Sequence, residues 1–166
     1  MDIYENDTKL VISTNEKDQT TLLFDLENRH NLLIIGNDEE KAGRFSSDIM
    51  INNTNFAYYI IDTSYEKEDK LVPLEMKMDQ RNKIIAKDKC NNWQEYNEKH
   101  PENKMAKICL LMEDFKGVIK DSNFKALSKI EKDGQSAGCY VVIVSNKNFI
   151  KKNPELFNNL ITMYVE

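Results

Sequence analysis

The chain has 166 residues, enough for one domain with a real core and too few for two ordinary ones, so a single domain spanning 1–166 is expected. Its apolar residues (40%) and charged residues (31%) exclude disorder as a general description. A net charge of -5, with Lys and Arg interspersed among the acids, excludes a nucleic-acid-binding face, which needs clustered bases.

Leu10-Val11-Ile12 and Thr21-Leu22-Leu23-Phe24-Asp25-Leu26 are β-leaning runs around a polar stretch, Ser13 to Gln19, and predict a hairpin or two edge strands. Four stronger runs follow: Asn31 to Gly36, Phe56 to Asp62, Ile108 to Asp114 and Cys139 to Ser145. Each is continuously apolar rather than alternating, the pattern of strands buried on both faces. Phe45 and Ile49 are spaced for a helix after the first of these strands. The middle stretch, with Met78, Ile84, Ile85, Trp93 and Tyr96 among many charges, predicts one or two amphipathic helices over one sheet face. Phe124, Leu127 and Ile130 predict another helix, N-capped by Ser122 and stopped at Gly134. Asn153 is expected to cap a last helical turn opened by Pro154, carrying Leu156, Phe157 and Leu160 into a strand over 161–165. Strand and helix alternation of this kind predicts an α/β fold, a mostly parallel sheet flanked by helices with a short N-terminal β-hairpin.

Only five glycines are present, where average usage of ~7% would give about a dozen. Phosphate loops consume glycine, so any nucleotide site must be built from Gly36, Gly43, Gly117, Gly134 and Gly138. Cys90, Cys109 and Cys139 are odd in number and lack zinc spacing, which predicts reduced thiols and no metal. There is no signal-peptide pattern and no membrane-length apolar run, so the expected location of this stretch is cytoplasmic, without direct membrane insertion.

In open parallel sheets, ligands bind beyond the carboxyl ends of the strands. Four sequences fall there: Gly36-Asn37-Asp38-Glu39-Glu40-Lys41-Ala42-Gly43-Arg44, Asp62 to Tyr65, Glu113-Asp114-Phe115 and Ser145 to Lys147. The first occupies the position of a P-loop, GxxxxGK followed by Ser or Thr. Counting from Gly36 puts Lys41 in the second Gly place, Ala42 in the Lys place and Gly43 in the hydroxyl place. A longer register makes Gly43-Arg44 the GK equivalent, with Phe45 in the hydroxyl place. The first register is preferred because it turns Phe45 and Ile49 toward the sheet. Glu113-Asp114 closes a hydrophobic strand in the manner of a Walker B pair, one acid for Mg²⁺ and one for the attacking water, with Glu where Asp is usual.

This order of elements resembles the FtsK/SpoIIIE-type motor ATPases: a two-strand opening, LLIIG into a P-loop position, YYIID, long helices, LLMEDF, a turn at Gly134 to Gly138 and CYVVIVSN. Phe24 to Gly36, the Asp62 strand and Glu113-Asp114-Phe115 look most like the C-terminal ATPase domains of EssC-type coupling proteins of type VII (ESX) secretion. The resemblance implies a C-terminal fragment of a larger, membrane-bound parent at the cytoplasmic side of a bacterial membrane. It also implies secreted helical-hairpin proteins and adjacent ATPase domains of the same parent as partners. The departures in the P-loop Lys and Ser/Thr and in the Walker B Asp predict a degenerate domain that recognises substrates or regulates secretion, takes no cofactor in isolation and has no catalytic residue beyond the worn Glu113 and Asp114. The alternatives are an active motor using ATP and Mg²⁺, with Lys41 or Arg44 replacing the lysine, and a receiver-like phosphoacceptor built on Asp38, Glu39, Asp114 and Ser145. His30 and His100 are expected at the surface or in loops, and Trp93 and Tyr96 as packing.

Overall fold

The computed structural model describes residues 2–15, 17, 20–29, 31–36, 39–61, 69–115 and 119–165. Two antiparallel strands, β1 (Lys9–Asn15) and β2 (Thr20–Asp25), open the chain, with Leu10 opposite Phe24 and a register shift between Val11 and Ser13. A short helix α1 (Leu26–Arg29) follows, then β3 (Asn31–Gly36), α2 (Glu39–Asn52), β4 (Ala57–Ile61), α3 (Val72–Lys87) and α4 (Trp93–Lys99). The second half comprises β5 (Ile108–Asp114), α5 (Asp121–Asp133), a 3₁₀ turn (Gln135–Ala137), β6 (Cys139–Ser145), α6 (Lys147–Lys152), a second 3₁₀ turn (Pro154–Asn159) and β7 (Leu160–Val165). Strands β3 to β7 form one parallel sheet in the order β4-β5-β6-β3-β7.

The continuous apolar runs are explained by the pleat, which sends successive side chains to opposite faces. Leu32, Ile34, Cys109, Leu111, Val142 and Val144 pack with Ala42 and Ile49 of α2 and with Leu10, Ile12 and Phe24 of the hairpin. Leu33, Ile35, Leu110, Met112, Val141 and Ile143 pack on the other face with Leu74 and Met78 of α3, Leu127 and Ile130 of α5, and Phe149 of α6. Cys109 and Cys139 are free and buried in these layers, and burial pushes their thiols up to about 12 and about 11.

The middle stretch is two helices, of which α3 covers the sheet. Helix α4 builds a smaller cluster, in which Trp93 and Tyr96 pack with Ile85 of α3, and the Trp93 indole N–H donates to the Tyr140 hydroxyl at 3.0 Å. Ile84 and Ile85 cannot share a helix face: Ile85 is buried and Ile84 is 38% exposed.

Two local expectations are corrected. Leu26 does not end a strand but begins α1, because the Asp25 carboxylate accepts the Glu27 amide (3.1 Å) and the Thr8 hydroxyl (2.8 Å), the geometry of a helix cap. Ser122 is not the cap of α5: Lys120 stands there, and the Ser122 hydroxyl donates to Asp69, which also pairs with Lys120 at 3.0 Å. Asn153 directly precedes the turn that Pro154 opens, as expected, with its carbonyl accepting the Leu156 amide at 3.2 Å, and its side-chain amide also donates back to the Phe149 carbonyl at 3.0 Å.

Beside the apolar contact of α2 with the hairpin, a side chain just past the end of the helix ties the two together. Asn53 accepts the Val11 amide at 2.6 Å and donates to the Val11 and Ile49 carbonyls at 2.9 and 2.7 Å, pairing with β1 as a neighbouring strand would. Asn53 is 2% exposed. Asn53→Ala strands these backbone groups and is expected to destabilise the chain by about 2–3 kcal/mol, read as a lower urea midpoint with an unchanged slope.

Candidate functional site

Helix α2 leaves β3 toward the hairpin face, whereas α6 leaves β6 toward the opposite face. Neighbouring strands whose connections part in this way open a crevice at their carboxyl ends. The sheet register brings Gly36, Ser145 and Asp114 to that edge on adjacent strands, with Ile35 opposite Ser145 and Ser145 opposite Asp114.

At β3, helix α2 begins at Glu39, only two residues after Gly36. Asn37 and Asp38, named above as loop residues, lie outside the described residues, as do Asp62 to Tyr65, Gly117 and His30. The first turn of α2 carries Glu39 and Glu40. The next residues are already helical, and their burial follows the phase of the helix. Lys41 is exposed, while Ala42, Ser46 and Ile49 form the face against the sheet. Ala42, in the lysine place of the preferred register, is fully buried. Arg44, the lysine equivalent of the alternative register, pairs with Glu40 at 2.5 Å on the exposed side. A side chain at Gly43 would meet nothing within 4 Å. Phe45 and Ile49 do turn to the sheet, Ile49 completely and Phe45 in part.

Glu113 and Asp114 sit at the end of β5 as predicted, and the pleat separates them. Glu113 follows Cys109 and Leu111 to the α2 face and is half-buried. Asp114 follows Leu110 and Met112 to the opposite face and is 1% exposed. Ser145, fully buried, donates its hydroxyl to the Asp114 carbonyl. Asn146 donates to the Phe115 carbonyl at 2.8 Å and caps α6 by accepting the Asn148 amide at 2.9 Å. The Ser145-Asn146 pair thus braces the ends of β5 and β6. Lys147 is exposed on α6.

His100 pairs with Asp88 and stacks on Tyr96 with ring centroids 4.4 Å apart, away from the crevice. Among the described residues no group of three or more His, Cys, Asp or Glu side chains is arranged to hold a metal, and no helix is long and apolar enough to cross a membrane.

Three buried charges escaped the sequence reading. Arg81, 9% exposed, donates from one guanidinium nitrogen to the carbonyls of Ala106 (2.7 Å) and Ala137 (3.1 Å). Lys107, fully buried with its ammonium 4.8 Å from the Phe56 ring centre, donates to the Asp7 carbonyl, and its amide donates to the Ile3 carbonyl at 3.0 Å, which straps the N-terminal segment across the sheet. Glu131, 6% exposed on α5, has no hydrogen-bond partner among the described residues for either carboxylate oxygen. Each had a visible signal: Arg81 continues the stripe Leu74, Met78, Ile85, and Glu131 and Lys107 adjoin the core residues Ile130 and Ile108.

No family model matches the chain, and no curated protein sequence matches it. Solved structures do. EssC (ATPases 2 and 3) from Geobacillus thermodenitrificans superposes with a TM-score of 0.70 at 16% identity, over 99% of this chain and 38% of that one. Thermomonospora curvata EccC (ATPases 2 and 3), in complex with a signal sequence peptide, gives 0.72 at 11% identity, over 94% and 36%. The pCW3 conjugation coupling protein TcpA with ATPγS gives 0.61 at 15%, over 87% and 49%. The chain therefore has the fold of the ATPase domains of type VII secretion coupling proteins, and it spans between about a third and a half of these structures.

Proposed function

We propose that this chain is a degenerate P-loop ATPase domain of a type VII secretion coupling protein, acting in substrate recognition or regulation of secretion rather than in ATP hydrolysis. The observation that carries the reading is the start of α2 at Glu39. A helix N-terminus favours anions, and here the Glu39 and Glu40 carboxylates already take that favourable position. A nucleotide phosphate would approach those like charges at a cost of roughly 1–4 kcal/mol for each pair at ~4 Å. The lysine places of the two registers offset little of this, because Ala42 faces the core and Arg44 is held by Glu40, which leaves the exposed Lys41 beside two acids. In this reading the acidic first turn of α2 disfavours the phosphates of ATP.

The structural neighbours support the secretion context, and the EccC relative in complex with a signal sequence peptide supports recognition as what such a fold can do without hydrolysis. The partners in this reading are secreted ESX-type helical-hairpin proteins and the adjacent ATPase domains of a parent at the cytoplasmic side of the membrane. Calorimetry with such a helical-hairpin protein and the 166-residue chain is expected to give saturable heat. No heat at high micromolar concentration would remove the reading.

A further inference from the structure

In a chain of net charge -5, a groove lined by three cations and no acid among the described residues runs between α3, the N-terminal segment and the loop that leads into β5. Arg81 lies at its floor, Lys77 and Lys104 are exposed at its rim, and Tyr4, Ile84 and Met105 supply apolar wall. Tyr4 and Ile84 are each 38% exposed.

Arg81 is the informative member. A guanidinium carries five N–H donors. The two on one nitrogen are taken by the Ala106 and Ala137 carbonyls, which fix its plane, and the other donors have no acceptor among the described residues. No carboxylate pairs with it, and desolvation lowers its pKa with only the Cys139 thiol acting in the opposite direction. A buried, unpaired charge is costly and usually finds an anion. Its planar fork matches a carboxylate, and the neighbouring apolar wall adds a place for a hydrophobic side chain.

The geometry points to a docking groove for an acidic peptide segment of a protein partner, with a carboxylate on Arg81 between Lys77 and Lys104 and an adjacent apolar side chain against Ile84, Met105 and Tyr4. The inference deepens the recognition reading and rests on it for the class of partner. The two fail separately: ATP binding at the strand-end crevice would remove the degenerate-domain reading while leaving a peptide response at this groove.

The test is selection of a displayed library of short random peptides on the 166-residue chain, followed by fluorescence anisotropy of the most enriched peptide on wild type, Lys77→Glu and Lys104→Glu. Both rim residues are exposed, so the fold is not at stake. Enriched peptides are expected to carry Asp or Glu beside Leu, Ile or Phe, and each charge reversal is expected to weaken binding roughly tenfold. Absence of an enriched set, enrichment of neutral or basic peptides, or affinity unmoved by both reversals would overturn the proposal. So would complete displacement by equimolar inorganic phosphate, which would assign the groove to phosphate oxyanions.

Discussion

Gly134→Ala is expected to destabilise the chain by about 3 kcal/mol or more. The reason is space, since its φ of -73° is open to any residue. A Cβ there would stand 2.5 Å from the Cys139 carbonyl oxygen and closer still to that of Ile130. Both obstacles are backbone. The Gly134 amide donates to Ile130 at 2.8 Å and its carbonyl accepts the Cys139 amide at 2.8 Å, so α5 and the start of β6 converge on this residue. Gly43→Ala is the control: a helical position with nothing within 4 Å of the new methyl. There alanine is expected to stabilise by about 0.5–1 kcal/mol, as it does in helix interiors. Urea midpoints of the two variants should move in opposite directions, and a shared direction would contradict the packing described at the α5-β6 turn.

Glu131→Gln is expected to stabilise the chain above pH 5, increasingly as pH rises. Desolvation on α5 raises the Glu131 carboxyl from an ordinary 4.5 to about 8, with Lys132 only partly opposing it. The folded state therefore holds a proton that the unfolded chain has released throughout the interval from 4.5 to about 8. Stability falls with pH wherever the native state binds more protons, so the loss begins near 4.5 and levels off above about 8. At pH 7 the effect is on the order of 3 kcal/mol. The neutral amide removes this slope and leaves a protein of similar stability near pH 4.5. Denaturation curves of wild type and variant should converge in acid and separate toward pH 8, and a constant offset across that range would contradict the burial of an unpaired carboxylate.

The central strands β3, β5 and β6 were legible because burial on both faces demands apolar residues at every position, as in CYVVIVS, whereas the run expected to be buried as β4 lies at the sheet edge with Ile60 57% exposed. Caps were less legible. Ser122 carries the right atoms but has several reachable partners, and the choice is made by Asp69. Buried charges were not legible: nothing in the residue types of Arg81 and Glu131 marks them as buried until helix phase places them among Met78, Ile85 and Ile130. At the crevice, the order of the elements was readable and the loop was not. Counting from Gly36 aligns Ala42 with a lysine, whereas the helix that begins at Glu39 rotates Ala42 into the core. That rotation depends on where α2 starts, a property of the fold. The scarcity of glycine pointed the same way, and the two-residue connection gives it a physical form.

The most direct measurement of the central claim is calorimetric titration of the 166-residue chain with Mg-ATP. A crevice whose helix N-terminus already holds Glu39 and Glu40, and whose lysine place is the buried Ala42, is expected to give no saturable heat at millimolar ATP. Saturable binding in the micromolar range would contradict the account and assign the fold a working nucleotide site.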